Sequence, residues 1–244
     1  MGVLIRRSVE ALVRRFRRPD FIIDPSVGAG AVLSLAFELA LSFLRGLRVL
    51  FAGKIPRLLL LGRGVRFFNL AGVRFGKGVR LGDGVYVSAL GREGVTLGDH
   101  VSIGAYSRLV VSTTFGDPGR GIEIGDRVGI GEFAHLGGAG GLVIGPDTIA
   151  GPYLSAHPEN HVFDDPGALI REQGVTRRGI RVGANCWIGA KVTLLDGAEV
   201  GDNCVIAAGA VVRGKFPANV VLGGVPARIL KHRRTHAAHL GQRV

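Results

Sequence analysis

Two histidines stand four residues apart in the stretch SAHPENHVFDD, His157 and His161, with Glu159, Asp164 and Asp165 beside them. An imidazole with an unperturbed pKa of about 6.5 can take a proton from a hydroxyl near neutral pH and pass it on. A neighbouring carboxylate can hold such a ring in one orientation and tautomer, a role open to Asp165 or Glu159. The pattern is that of a general base serving a hydroxyl nucleophile, with either histidine able to fill it. A second chemistry uses the same residues: His135, His157 and His161 could together hold a zinc ion.

The segments around these histidines carry an unusual period. Written as two rows of eighteen, residues 182–217 put VGANCWIGAKVTLLDGAE over VGDNCVIAAGAVVRGKFP. Within the rows an aliphatic residue returns every six positions: Val182, Ile188, Leu194, Val200, Ile206 and Val212. A small residue usually follows it. Period six fits neither a helix of 3.6 residues per turn nor simple strand alternation. It fits a chain that lays down one flat face every six residues and closes a triangle every eighteen, with one branched side chain per face pointing inward. That is an all-β solenoid, a parallel β-helix of hexapeptide repeats. The 40 glycines suit its tight corners, where positive φ is tolerated. Cys186 and Cys204, the two cysteines, lie eighteen apart and should stack as buried thiols on adjacent coils. The same period runs backward through Phe75, Leu81, Val87, Leu97, Ile103, Leu109, Ile124, Ile130, Leu136, Ile144, Ala150 and Ala156. It is broken at 112–121, at the GGAGG of 137–141, and most widely at 158–179, directly after His157. Solenoids place such insertions at corners, where function collects.

The run CWIGAKVTLLDGAEVGDNCVIAAGAVV followed by VLGGVPARILK resembles the C-terminal half of the hexapeptide-repeat acyltransferases, in the sugar and polysaccharide O-acetyltransferase branch. The resemblance implies a left-handed coil, a homotrimer with clefts between subunits, and acetyl-CoA as donor, with no metal required. Aligned without gaps from Ile144-Gly145, the catalytic histidine of the galactoside enzymes falls on His161, and the ENHVFDD segment is similar to the Asn-His segment of the polysaccharide enzymes. His161 is therefore the expected base, His157 the runner-up, and Asp165 the carboxylate to orient the ring. The pantetheine arm of CoA is expected along Ala190 and Ala208. Arg213 stands where the galactoside enzymes have a threonine, and Arg228 and Lys231 suit the nucleotide phosphates. Trp187 is expected to line the intersubunit cleft or to be covered at a trimer contact. The asparagine that faces the acceptor in the galactoside enzymes is matched by Gly131, so their acceptor specificity does not carry over.

The expected organisation is an N-terminal helical extension over 1–64, the left-handed β-helix over 65–226, and a short basic C-terminal capping helix with a loose tail over 227–244. The first part is basic: residues 1–57 hold ten Arg or Lys against four Asp or Glu, in a chain of net charge +12. An apolar region over 27–51, read as a helix from Leu33, carries one polar stripe of Ser34, Glu38, Ser42, Arg45 and Arg48. Such a helix could lie on the anionic inner face of a cell membrane without crossing it, or pack within the trimer. No small-x-small cleavage site follows it, so a signal peptide is not expected. Basic residues interleaved with aromatics are missing, which argues against nucleic acid. The leading reading is a cytoplasmic or peripheral acetyl-CoA-dependent O-acetyltransferase with a saccharide acceptor. The alternatives are a γ-type carbonic anhydrase-like zinc enzyme and a non-catalytic, membrane-associated trimeric scaffold.

Overall fold

The structure is a computed structural model that describes residues 10–11, 22–24 and 26–233. The basic residues at 6–7 and 14–18 and the tail at 236–244 lie outside the described residues.

Three long parallel sheets form a three-sided solenoid. The first face begins with Leu60–Leu61 and repeats as Arg80–Leu81, Ser102–Ile103, Gly129–Ile130, Ile149–Ala150, Trp187–Ile188, Val205–Ile206 and Val220–Gly224. Face two carries seven strands from Arg66–Phe68 to Val211–Val212, and face three seven from Val73–Phe75 to Lys215–Phe216. Each strand pairs in parallel with the strand one coil on, for instance Trp187 with Val205 and Leu194 with Val212. The period-six residues point inward: Val182, Ile188, Leu194, Val200, Ile206 and Val212 are all buried, in one continuous column with Leu81, Ile103, Leu109, Leu136 and Ile144. Burying each such side chain contributes roughly 1.5–3 kcal/mol.

The corners explain the residues between the aliphatics. The position three after each inward aliphatic on face one adopts positive φ, as at Phe133 (57°), Tyr153 (62°) and Lys191 (59°). The glycine directly after the aliphatic lies against the next coil: a Cβ on Gly189 would come within 2.5 Å of the Ala208 backbone nitrogen. Aspartates that follow such glycines tie one coil to the one before. Asp83, Asp99 and Asp202 accept the backbone N–H of Arg63, Lys77 and Ala184 at 2.7 Å each. Cys186 and Cys204 stack as expected, buried and unlinked, with the Cys204 N–H donating to Cys186 Sγ at 3.4 Å.

Two expectations are corrected. The stretch around Leu58–Leu61, expected before the start of the solenoid, already belongs to it: Leu60–Leu61 pairs with Arg80–Leu81, and Leu59 and Leu61 are buried. Gly62 directly after Leu61, Gly64 three after it at positive φ, and Phe67 and Val73 at six-residue steps already follow the repeat. At the other end Ala227–His232 is a strand and not a capping helix. It turns back antiparallel on Val220–Gly224, the last parallel strand. The unpaired N–H and C=O groups of that terminal edge attract a further strand, and the turn through Gly224 and Pro226 delivers one.

The N-terminal helix, α1, spans Ala29–Gly46 and runs into a 3-10 turn over Leu47–Ala52. It meets the first coil at Gly46, where a Cβ would run into the Leu59 carbonyl.

The inward column predicts that Leu194→Ala lowers stability by about 2–5 kcal/mol, read as a fall in denaturation midpoint without loss of the β signal. Burial pushes the Cys186 thiol up to about 11. The native protein should therefore resist a thiol reagent at pH 8 and react fully once unfolded. Because the folded-state pKa is raised, the unfolded chain releases this proton first, and stability should fall as pH rises above the ordinary thiol pKa.

Candidate functional site

The widest insertion leaves the solenoid after the face-two strand Ser155–His157 and returns at Ile180–Val182. It is stiffened by a small antiparallel ribbon, Asn160–His161 against Val175–Thr176, which pairs His161 with Val175. Gln173 crosses the loop and ties both backbone groups of Asp165, accepting from its N–H at 3.0 Å and donating to its carbonyl at 2.9 Å. His161 is thereby held on hydrogen-bonded backbone while its side chain is exposed.

His157 sits differently. It ends the strand and shares the outer surface of face two with Ser155 and His135, one coil back. Ser155 Oγ and His157 Nε2 are 2.6 Å apart, and the His135 and His157 rings stack with centroids 5.6 Å apart. Burial, aided by His157 and then Arg108, holds the His135 imidazole below its ordinary pKa, so His135 is neutral at neutral pH. The rings lie face on face, so their in-plane nitrogens point sideways out of the stack. Among the described residues no three His, Cys, Asp or Glu side chains form a metal-holding group, so the three histidines considered for zinc do not converge.

A cleft of about 270 Å³ opens beside this pair, between His135, His157 and the loop through Ser112, Thr113 and Thr114. Arg177 closes its far side by joining two insertions: it donates to Glu159 at 2.6 Å and meets Asp117 of the earlier loop at 2.7 Å. Glu159, considered as an orienting carboxylate, is thus paired with Arg177. Asp165 turns Oδ1 to the Gly167 N–H at 2.8 Å, leaving Oδ2 without a partner among the described residues.

The residues expected to meet CoA occupy the last coils. Ala190 and Ala208 stack at the corner between faces one and two, joined by the Gly209 N–H donating to the Ala190 carbonyl at 2.9 Å. Arg213 is exposed just after the final face-two strand, eighteen residues beyond Leu195, which itself pairs with His157. Arg228 and Lys231 are exposed on the terminal antiparallel strand, opposite Gly223 and Val221. Trp187 projects from face one at 57% exposure, between Ile149 and Val205 on the neighbouring coils.

One feature of this corner escaped the sequence reading. Tyr106, Phe133 and Tyr153 occupy equivalent positions on three successive coils and stack ring on ring, with centroids 5.6 and 5.1 Å apart. Their signal was present as an aromatic two residues after the corner glycine in GAY, GEF and GPY. On the next coils the same position is Lys191 and then Gly209, next to Ala190 and Ala208, so the wall of rings ends there.

Residues 179–214 match the family of bacterial transferase hexapeptide (six repeats). The chain is 31% identical over 181 residues to the "Probable acetyltransferase Rv3034c" of Mycobacterium tuberculosis, a match spanning 72% of this chain and 51% of that protein. It is 33% identical over 94 residues to the galactoside O-acetyltransferase of Escherichia coli, spanning 37% of this chain and 43% of the relative. The matches thus cover about half the length of these relatives. Among solved structures, a variant of AntD, an N-acyltransferase from Bacillus cereus in complex with dTDP and coenzyme A, shares the fold at TM-score 0.50 and 19% identity, over 72% of this chain and 81% of that one. Together with the three-sided stack of hexapeptide coils, these matches show that residues 179–214 are a bacterial transferase hexapeptide repeat, in a chain that is similar to acetyltransferases.

Proposed function

We propose that the protein is an acetyl-CoA-dependent O-acetyltransferase acting on a sugar hydroxyl of a polysaccharide, a lipid-linked sugar or a related saccharide, and that it works as a trimer of left-handed coils. The observation that carries the reading is a free, exposed imidazole at His161, braced by the ribbon at the insertion that interrupts coils of a transferase repeat. Both the galactoside enzyme and the mycobacterial relative are named acetyltransferases, which supports the acetyl group as the cargo.

His161 takes the proton of the acceptor hydroxyl as its oxygen attacks the thioester carbonyl carbon. The tetrahedral oxyanion then collapses, the carbon–sulfur bond breaks, and the imidazolium returns its proton to the departing CoA sulfur. His157 is less suited to the task because Ser155 already engages its Nε2 and His135 covers one ring face. Asp165 is the carboxylate assigned to orient the His161 ring in the complex, with Oδ2 making no hydrogen bond among the described residues. Pantetheine lies on the small-residue track of Ala190 and Ala208, with Arg213, Arg228 and Lys231 toward the phosphates and Trp187 lining the intersubunit cleft.

His161→Ala should lower turnover by roughly 10²-fold or more with CoA affinity nearly unchanged, as followed by release of the free CoA thiol. A dead His157→Ala beside an active His161→Ala would transfer the role to His157. Arg228→Glu should raise the apparent KM for acetyl-CoA more than that for the acceptor, because it sets a like charge near phosphates; equal effects would remove it from the site. In NMR titrations the His135 ring should titrate below the ordinary imidazole range, and His157→Ala should move it upward by removing a neighbouring positive charge. A depressed imidazole pKa stabilises the fold above the ordinary value, so this contribution should drain away as pH falls through it. A His135 titration that ignores His157→Ala would refute the coupling.

A further inference from the structure

Val32 and Gly46 are the buried residues of helix α1, and polar side chains along one flank tie it to the first coil. Glu38 pairs with Arg63 of the first coil at 3.2 Å, Arg45 donates to the Leu61 carbonyl at 3.3 Å, and Arg48 donates to the Val65 carbonyl. Ser34, Leu35, Glu38, Leu39 and Ser42 line a groove against face one. The opposite side is left to the outside: Leu33, Phe37 and Leu44 fall on one ridge of the helix and are all exposed, and the ridge continues into Leu50, Phe51 at 97% exposure and Ile55. A helix that only helps to close a soluble core would not leave such a ridge uncovered.

We propose that this ridge seats the protein on an anionic bilayer, with α1 lying in the interface plane and not crossing it. Ala29–Ala52 is apolar enough to span, with a mean hydropathy of 1.5. Spanning would, however, break the ties from Glu38, Arg45 and Arg48 to the first coil and draw these groups into hydrocarbon. In the interface plane the ties persist, and the ridge reaches the acyl boundary while the polar stripe stays on the solenoid side. Charge selects the occupant. In the sequence, residues 1–57 carry ten Arg or Lys against four Asp or Glu, and Arg57, beside the exposed Ile55, is itself exposed with no side-chain hydrogen bond among the described residues. Two copies meeting through this region would bring like charges together, whereas anionic head groups complement them.

The inference is independent of acetyl transfer and is tested without it. The full chain is floated with vesicles of phosphatidylcholine alone and of phosphatidylcholine with phosphatidylglycerol. The same is done for Phe51→Glu and for the triple variant Leu33→Glu, Phe37→Glu and Leu44→Glu, all at exposed positions, with circular dichroism and light scattering as controls on fold and assembly. The full chain should float with the anionic vesicles at least about fivefold better than with the neutral ones, and an alkaline carbonate wash should release it. Both variants should keep their fold and lose most of this binding. The proposal fails if the full chain ignores anionic vesicles or if both variants float as it does. It fails equally if the bound protein resists the carbonate wash, which would mean a spanning helix, or if the triple variant loses assembly mass in solution while its vesicle binding persists, which would assign the ridge to another copy.

Discussion

Every part of this molecule depends on the parallel pairing of each short strand with its equivalent one coil away. A strand of two or three residues cannot hold itself, and isolated ones would be lost to conformational entropy. Stacked, each is bonded on both edges, and the single aliphatic it turns inward rests on the aliphatic below, as Leu194 rests beneath Val212. The same logic dictates what happens where the stack stops. The last coil is finished by the antiparallel strand Ala227–His232, and the first is covered in part by the C-terminal end of α1 at Gly46 and Leu59.

The stack also decides where chemistry can sit. Inward positions are committed to packing and corners to particular backbone angles, so functional side chains fall on outward strand positions or on insertions. His135, Ser155 and His157 are outward residues of face two, brought together because coils stack in register although twenty residues separate the strands that pair His135 with Ser155. His161 lies on an insertion with its own ribbon, which frees the side chain from the register of the coil. Arg177 then links that insertion to the loop around Asp117, so the two breaks in the repeat become one structural unit beside the cleft.

How much of this could be read from residues alone follows from how local each signal is. The period of six is repeated at every face, and it revealed the solenoid, its inward column and the stacked thiols of Cys186 and Cys204. The first strand at Leu60–Leu61 ends a run of four leucines that blurs its place in the repeat, although Gly62 follows Leu61, and Phe67 and Val73 keep the period of six from it. The C-terminal strand was mistaken for a helix because ARILKH has the charge of a helix terminus, whereas its conformation is set by the unpaired edge of Val220–Gly224, a tertiary fact. The polar stripe on α1 was legible, but its direction was not: only the ties to Arg63, Leu61 and Val65 show that it faces the solenoid. The stack of His135 on His157 and the ladder of Tyr106, Phe133 and Tyr153 join residues about twenty or more apart whose alignment depends on how many residues each corner absorbs.

The central functional claim is that the corner where the aromatic ladder ends is the track for coenzyme A. Calorimetric titration of CoA into the purified chain and into Ala208→Phe tests it most directly, since a ring at position 208, next to the ladder position Gly209, would fill the space assigned to the pantetheine arm. Saturable binding by the unaltered chain, weakened on the order of tenfold or more by Ala208→Phe with the melting profile preserved, is the predicted result. Equal binding by both, or none by the unaltered chain at millimolar CoA, would contradict it.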